Sequence, residues 1–452
     1  MAQRMNLCFD VSYIAIDGRW RVPGSWPGRT FPDVEMYEEI ARIAERGCLD
    51  MIFSGDGTGI PSTWRGSYEE AVRWGITWPR QDLNPLMVAM ARVTKHVGLG
   101  LTYSSTFMHP YYLARLMNSL DHISQGRMAL NLVTTTRRAD AANFGFDELM
   151  EHGARYERME EFVAVCLALW DGVEPDAMIW DRESGQVGDP SKVHAIDHRG
   201  RFFQVKGPLN TPPAPQGRPV LVQAGGSPRG IRAAASFVDV AFGEDKPLER
   251  QVQQRGEFDQ ALREAGRDPA RVGIVWQKPV IVAESGAEAR RRREAMLTMI
   301  PPEAAGVYLS HNAGYDFSTL PQRFRLRELQ AEITATQATP VGFVHGLAQR
   351  LGEDAEMTRQ EFFEYGLQRA THYDTTFAGS AAEVADHLVD SFEATGSRGG
   401  FMLGHPVSMP GDLVTIVDLL VPELQRRGRF RRTYGGGTLR QTLMDIYDDP
   451  AA

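Results

Sequence analysis

Short apolar runs recur along the chain. Each is followed by a turn and then by apolar residues spaced three and four apart. Residues 5–9 fit a strand, and across 34–48 Tyr37, Ile40, Ala41 and Ala44 fall on one helical face. Further strands are predicted at 50–54, 97–104, 128–134, 219–223, 238–242, 272–283 and 399–403. Helices are predicted at 85–97, 112–124, 154–169, 229–237, 248–266 and 411–425. Alternating strands and helices imply a parallel sheet with right-handed crossovers. Eight such units favour an α/β fold in which the sheet closes on itself, a (β/α)8 TIM barrel.

Three stretches break this rhythm. Residues 55–82 read as a long loop carrying Trp64, Trp74 and Trp78, 171–218 as an Asp-, Gly- and Pro-rich hairpin excursion, and 286–397 as a mostly helical insertion. Long excursions from a barrel commonly form lids and substrate walls. A barrel of about 250 residues plus these insertions accounts for the whole length, so one domain over 1–452 is expected.

In such a barrel the active site lies at the C-terminal ends of the strands, so chemistry is sought just after each apolar run. Asp56 follows the second run, Thr102 to Thr106 the third, and Asn131 to Thr136 end the fourth. After the fifth, Gln223-Ala224-Gly225-Gly226-Ser227-Pro228-Arg229-Gly230 passes straight into a helix. Two glycines admit a ligand close to the backbone, Ser227 suits the N-cap and Pro228 the first helical position. Such a turn offers a phosphate site; it is equally an ordinary capped turn.

His152 and Tyr156, four apart at a helix start, share a face and with Arg155 could bracket an anion. His311 sits in the polar segment Ser310-His311-Asn312-Ala313-Gly314-Tyr315, read as a loop inside the helical insertion. A loop histidine near a pocket can move protons, its pKa lying near neutrality. His109 and His405 follow the third and eighth strands and are expected to face the mouth. His194 and His198 have metal-like spacing but lie in the hairpin excursion, away from any strand end, and no metal site is assigned.

Composition narrows the partners. A net charge of −9 argues against nucleic acid. The run Arg290 to Arg293 lies among glutamates and reads as a solvated helix face. Cys8, Cys48 and Cys166 form no metal spacing and cannot all pair, which fits a reducing cytoplasm. No signal peptide and no membrane-spanning apolar run are seen. HExxH, GxSxG and Walker motifs are absent, as is a dinucleotide fingerprint.

Several motifs carry a family resemblance. They include Ser54-Gly55-Asp56-Gly57, Leu120-Asp121-His122-Ile123-Ser124-Gln125-Gly126-Arg127, and Asn131-Leu132-Val133-Thr134 with Asn143-Phe144-Gly145. Others are Glu151-His152-Gly153-Ala154-Arg155-Tyr156, Asp189-Pro190-Ser191-Lys192-Val193-His194, and Val205-Lys206-Gly207-Pro208-Leu209-Asn210. Together they resemble the nitrilotriacetate and dibenzothiophene-sulfone monooxygenase branch of the luciferase-like flavin enzymes, over nearly the whole chain.

The resemblance implies FMN, delivered reduced by a separate NAD(P)H:flavin reductase. It also implies oxygenation, through a C4a-hydroperoxyflavin, of a small sulfur-, nitrogen- or halogen-bearing substrate. FMN phosphate would sit at Gly226 and Ser227, helped by Tyr156 and His152. Asp56, Thr102 and Asn131 would line the ring and ribityl, and His311 would be the catalytic group. A homo-oligomer, dimer or tetramer, is expected. A related barrel using deazaflavin F420 for hydride transfer, and a non-catalytic flavin-binding protein, are the competing readings. Asp17 stands where relatives often carry a histidine before the Gly-x-Trp-Arg stretch, so the substrate is not carried over.

Overall fold

The computed structural model describes residues 3–12, 17–22, 24–135, 137–336, 342–404 and 408–444; His405 and Thr136 lie outside them. Eight parallel strands form the centre: β1 Asn6–Asp10, β2 Met51–Ser54, β3 Gly98–Ser104, β4 Met128–Val133, β5 Val220–Ala224, β6 Val240–Gly243, β7 Ile274–Ala283 and β8 Gly399–Gly404. Each pairs with the next, and β8 returns to β1 with Asn6 opposite Gly400, so the sheet is a closed barrel. The (β/α)8 expectation holds. These strands are buried on both faces, which is why they appear in the sequence as nearly unbroken apolar runs.

Alternation divides each strand between two cores. Cys8, Met51, Phe53, Ala129, Val222, Val240, Val275 and Met402 fill the barrel interior. Leu7, Ile52, Leu99, Leu130, Leu221 and Phe401 pack outward, against the helices. Gly100 keeps the interior open, because a Cβ there would stand 2.9 Å from Met51 Sδ. The N-terminal end of the barrel is plugged by the chain's own C-terminal segment. Leu439 and Leu443 belong to the interior core, and a Cβ on Gly98 would collide with Leu439. Arg431 pairs with buried Asp50 at 2.6 Å, and Arg440 with Asp239 at 2.7 Å.

The helices needed below are α1 Glu35–Arg46, α2 Leu83–Val93, α3 Pro110–Ser124, α4 His152–Asp171, α5 Pro228–Phe237 and α6 Leu248–Glu264. The sequence placed α2 at 85–97. It starts earlier because Asp82 caps it, accepting from Asn84 N, and Pro85 sits in the first turn, where its missing N–H costs nothing.

The insertion after β7 carries α7 Pro302–Ala313 and α8 Arg359–Ala370, while α9 Ala381–Ala394 leads back to β8. It has its own aromatic-rich core around Phe317, Phe324, Phe362 and Phe363. The tryptophan loop belongs to that core: Trp64 is 5% exposed, packs on Phe363 and closes over Gly306, where a Cβ would meet its ring at 2.3 Å. This stretch is also not a plain loop, since Glu69–Trp74 is helical and ends on a left-handed Gly75.

Two expectations are corrected. The 171–218 excursion is tied to helices rather than standing free as a hairpin. It clasps the outside of α3 and α4, where the Glu161 carboxylate accepts from Phe202 N and Phe203 N, and Asn118 donates to Thr211. The arginine run is only half solvated: Arg292 pairs with buried Asp412, and Arg293 lies over Tyr373, so one side of that short helix is stapled down.

Candidate active site

The mouth of the barrel begins with two polar side chains on adjacent strands. Thr102 and Asn131 lie opposite each other in register, are both 6% exposed, and are joined by Asn131 Nδ2 donating to Thr102 Oγ1 at 3.0 Å. Asn131 Oδ1 is buried with no protein partner among the described residues. A buried carbonyl oxygen without a donor is costly, so this atom fits a ligand N–H or O–H. Below the pair, Phe53 and Phe242 meet edge to face at 4.8 Å.

Asp56 leaves the end of β2 and accepts from Gly57 N at 2.8 Å; burial raises its carboxyl pKa above the ordinary value. With Thr102 it lines a cavity of about 270 Å³. The cavity's other walls include Thr58, Asp82, Phe107, Met108, Tyr112 and Phe144.

The turn after β5 has the predicted construction. Ser227 is the N-cap of α5, its hydroxyl accepting from Gly230 N at 3.0 Å, and Pro228 opens the helix. The first-turn N–H of Arg229 has no intrahelical acceptor, so the helix start presents a positive end. Tyr156 reaches this turn from α4: a Cβ on Gly230 would stand 3.0 Å from its hydroxyl. His152 meets the Tyr156 ring edge-on at 5.2 Å, and Arg229 lies over it, held by Glu160 at 2.5 Å. Gly226, Ser227, Tyr156 and His152 are therefore neighbours.

Lys246 was missed by the sequence reading. Its Nζ would be 3.0 Å from a Cβ on Gly226, which brings an ammonium group to the same turn. It lies three residues beyond β6, at a strand end like the other candidates. Arg137 was missed likewise; it lies four residues beyond β4. Arg155 bridges the two regions, donating to Thr135 O at 2.7 Å.

His311 is not in a loop. It lies in the last turn of α7, which ends on left-handed Gly314, and the ring is 6% exposed. The small polar residues around it imitate a loop in sequence; Gly314 is the helix terminator. Burial, with added repulsion from Arg137 and Arg80, pushes its pKa down to about 3. The ring is neutral at neutral pH, and the expectation of a near-neutral titration is overturned. Its Nε2 is buried without a partner among the described residues.

The remaining histidines fall elsewhere. His109 caps α3, its Nδ1 accepting from Tyr111 N at 3.3 Å, in the segment whose Met108 lines the cavity. His194 and His198 turn to different carboxylates, Glu174 and Glu161. Asp17, at the departure noted above, is buried and pairs with Arg19 at 3.5 Å.

Comparison with known proteins places this arrangement. The family model described as luciferase-like monooxygenase matches residues 20–399. The chain is 35% identical over 436 residues to a dibenzothiophene-sulfone monooxygenase of Rhodococcus erythropolis, covering 94% of this chain and 92% of the relative. It is 34% identical to nitrilotriacetate monooxygenase component A of Aminobacter aminovorans, covering 98% and 96%. The crystal structure of riboflavin lyase with modified FMN and riboflavin superposes with a TM-score of 0.86 at 29% identity, covering 98% of this chain and 96% of that one. These similarities run through the barrel and through the insertions that carry Trp64 and His311, and they favour oxygenation over deazaflavin hydride transfer or mere flavin storage. The chain belongs to the luciferase-like monooxygenases.

Proposed function

We propose that this protein is the oxygenating component of a two-component system: it takes FMNH2 from a separate NAD(P)H:flavin reductase and uses O2 to oxygenate a small sulfur-, nitrogen- or halogen-bearing organic compound. The observation that carries this reading is the pairing of an anion-binding turn with a polar barrel mouth. Ser227, Tyr156 and Lys246 converge where Gly226 leaves room, which suits a phosphate. The orphaned Asn131 Oδ1 beside Thr102 suits a polar ring edge. The donor set therefore fits FMN, with phosphate at Gly226, Ser227, Tyr156, His152 and Lys246, and with Asp56, Thr102 and Asn131 along the ring and ribityl.

Bound reduced FMN supplies the electrons that activate O2. The chain's own part is to orient the ring, exclude water and place one hydrogen-bonding group at the reacting oxygen. His311 is assigned that last role, since a neutral imidazole can donate from one nitrogen and accept at the other. Trp64 serves indirectly, fastening the helical insertion over the mouth.

We further propose that the barrel and insertions act as one unit over 1–452, that the protein assembles as a homo-oligomer, dimer or tetramer, and that it works in the cytoplasm without nucleic acid or membrane partners. The three free cysteines support the last point. Among the described residues no helix is long and apolar enough to cross a membrane.

Turnover of a sulfur and amine substrate panel under 18O2, with an unrelated flavin reductase, tests the central reading. One labelled oxygen atom per product is expected. Turnover that requires reduced F420 and ignores FMNH2 would overturn it. Light scattering reads the assembly state.

A further inference from the structure

We infer that the substrate carries an anionic head, a carboxylate or a sulfonate, and that Arg137 is the residue that holds it. The inference rests on the mouth being the oxygenation site.

Arg137 follows β4 and is half-buried. Its Nη1 would be 2.9 Å from a Cβ on Gly57, so the guanidinium lies against the loop after β2, next to a residue that lines the cavity. Among the described residues its side chain makes no hydrogen bond and no ion pair. Other mouth arginines are engaged: Arg155 donates to Thr135 O, and Arg80 to Gly55 O at 3.2 Å. Holding a partly desolvated guanidinium without a partner is unfavourable, and a planar fork is best matched by two acceptor oxygens.

The protein's own carboxylates near the mouth do not fill that role. Asp140 Oδ1 accepts from Thr58 N and Gly59 N, Asp82 caps α2, and Asp56 accepts from Gly57 N. The positive field of Arg137 is also felt at His311, whose ring it helps to keep uncharged. The cavity suits an amphiphile: Gly57, which Arg137 touches, lines it together with Thr135 and Asp140, and Phe107, Met108 and Phe144 give an apolar wall. The phosphate of FMN has its own cation, Lys246, at the α5 turn.

The test is a binding preference measured with defined probes. FMN affinity of the wild type and of Arg137→Gln is measured first, by quenching of flavin fluorescence. The FMN-loaded proteins are then titrated calorimetrically with phenylacetate, phenylmethanesulfonate and the neutral phenylacetamide. At least one of the acids is expected to bind the wild type about tenfold or more tightly than the amide does, and the two acids separate a carboxylate site from a sulfonate site. Arg137→Gln should bring all three to within about twofold, and Arg137→Lys should keep part of the preference.

Equal binding of acids and amide, or an unchanged preference in Arg137→Gln, overturns the inference. So does a loss of FMN affinity in Arg137→Gln, which would make Arg137 a flavin ligand. Failure of the wild type to bind FMN counts against the proposed function alone; the same titrations on the flavin-free protein then read the preference. Circular dichroism checks that the variants fold.

Discussion

The His311 ring is uncharged in the folded protein, and this has a measurable cost. Its pKa lies near 3 in the folded protein and near 6.5 in the unfolded chain, so the two states bind protons equally above about pH 7. As pH falls below 6.5 the unfolded chain takes up a proton that the folded one refuses. Stability then drops by about 1.4 kcal/mol per pH unit until about pH 3. Urea unfolding at pH 7 and pH 5 should show the wild type losing about 2 kcal/mol more than His311→Gln. Activity should fall about ten- to a hundredfold in His311→Ala, with FMN affinity unchanged. Lys246→Ala should weaken FMN binding about tenfold or more and leave riboflavin binding nearly untouched, because only FMN carries the phosphate; fluorescence titration with both flavins checks this. At this scale the positions of Asp56, Thr102, Asn131, Gly226 and Ser227 at strand ends were legible because the strands show as apolar runs; their part in holding flavin is proposed. The state of His311 was not, because burial in the folded insertion sets it, with Arg137 and Arg80, distant in sequence, adding repulsion.

The elements explain what holds the helical insertion together. Trp64 and Gly306 form a matched pair, a large ring over a residue with no side chain, and Phe363 backs them. Trp64→Ala should destabilise the insertion by about 3–5 kcal/mol. Its signature would be earlier proteolysis within 286–397 and more O2 consumed per product, read with an oxygen electrode. Gly306→Ala should give a milder form of the same defect by displacing the ring. The eight strands were plain in the sequence because burial on both faces leaves little else but apolar residues. The tryptophan stretch was read as a bare loop because its one short helix, Glu69–Trp74, is too brief to show a period. The 171–218 excursion was recognised as an insertion, but its location was hidden: the tie to α4 depends on Glu161 meeting backbone amides some forty residues away.

At the scale of the whole molecule, alternation predicted a closed sheet, and the last link, β8 to β1, follows from strand count and twist. The C-terminal plug could not be foreseen. Leu439 and Leu443 look like any short amphipathic end, and Arg431 and Arg440 find Asp50 and Asp239 only once the barrel exists. Removing 431–452 should therefore lower the melting temperature sharply, or prevent folding, since it strips a buried ion pair and opens the barrel core. Differential scanning calorimetry of full-length and shortened protein would measure this.

That plug also governs traffic. With the lower end filled by Leu439 and Leu443, the barrel interior meets reactants at its mouth, where the Thr102–Asn131 pair forms a floor. With flavin on that floor, as proposed, the expected order is flavin before substrate, and product before flavin. Double-inhibition kinetics should accordingly find a compulsory order, flavin first in and last out, with product analogues trapping flavin inside.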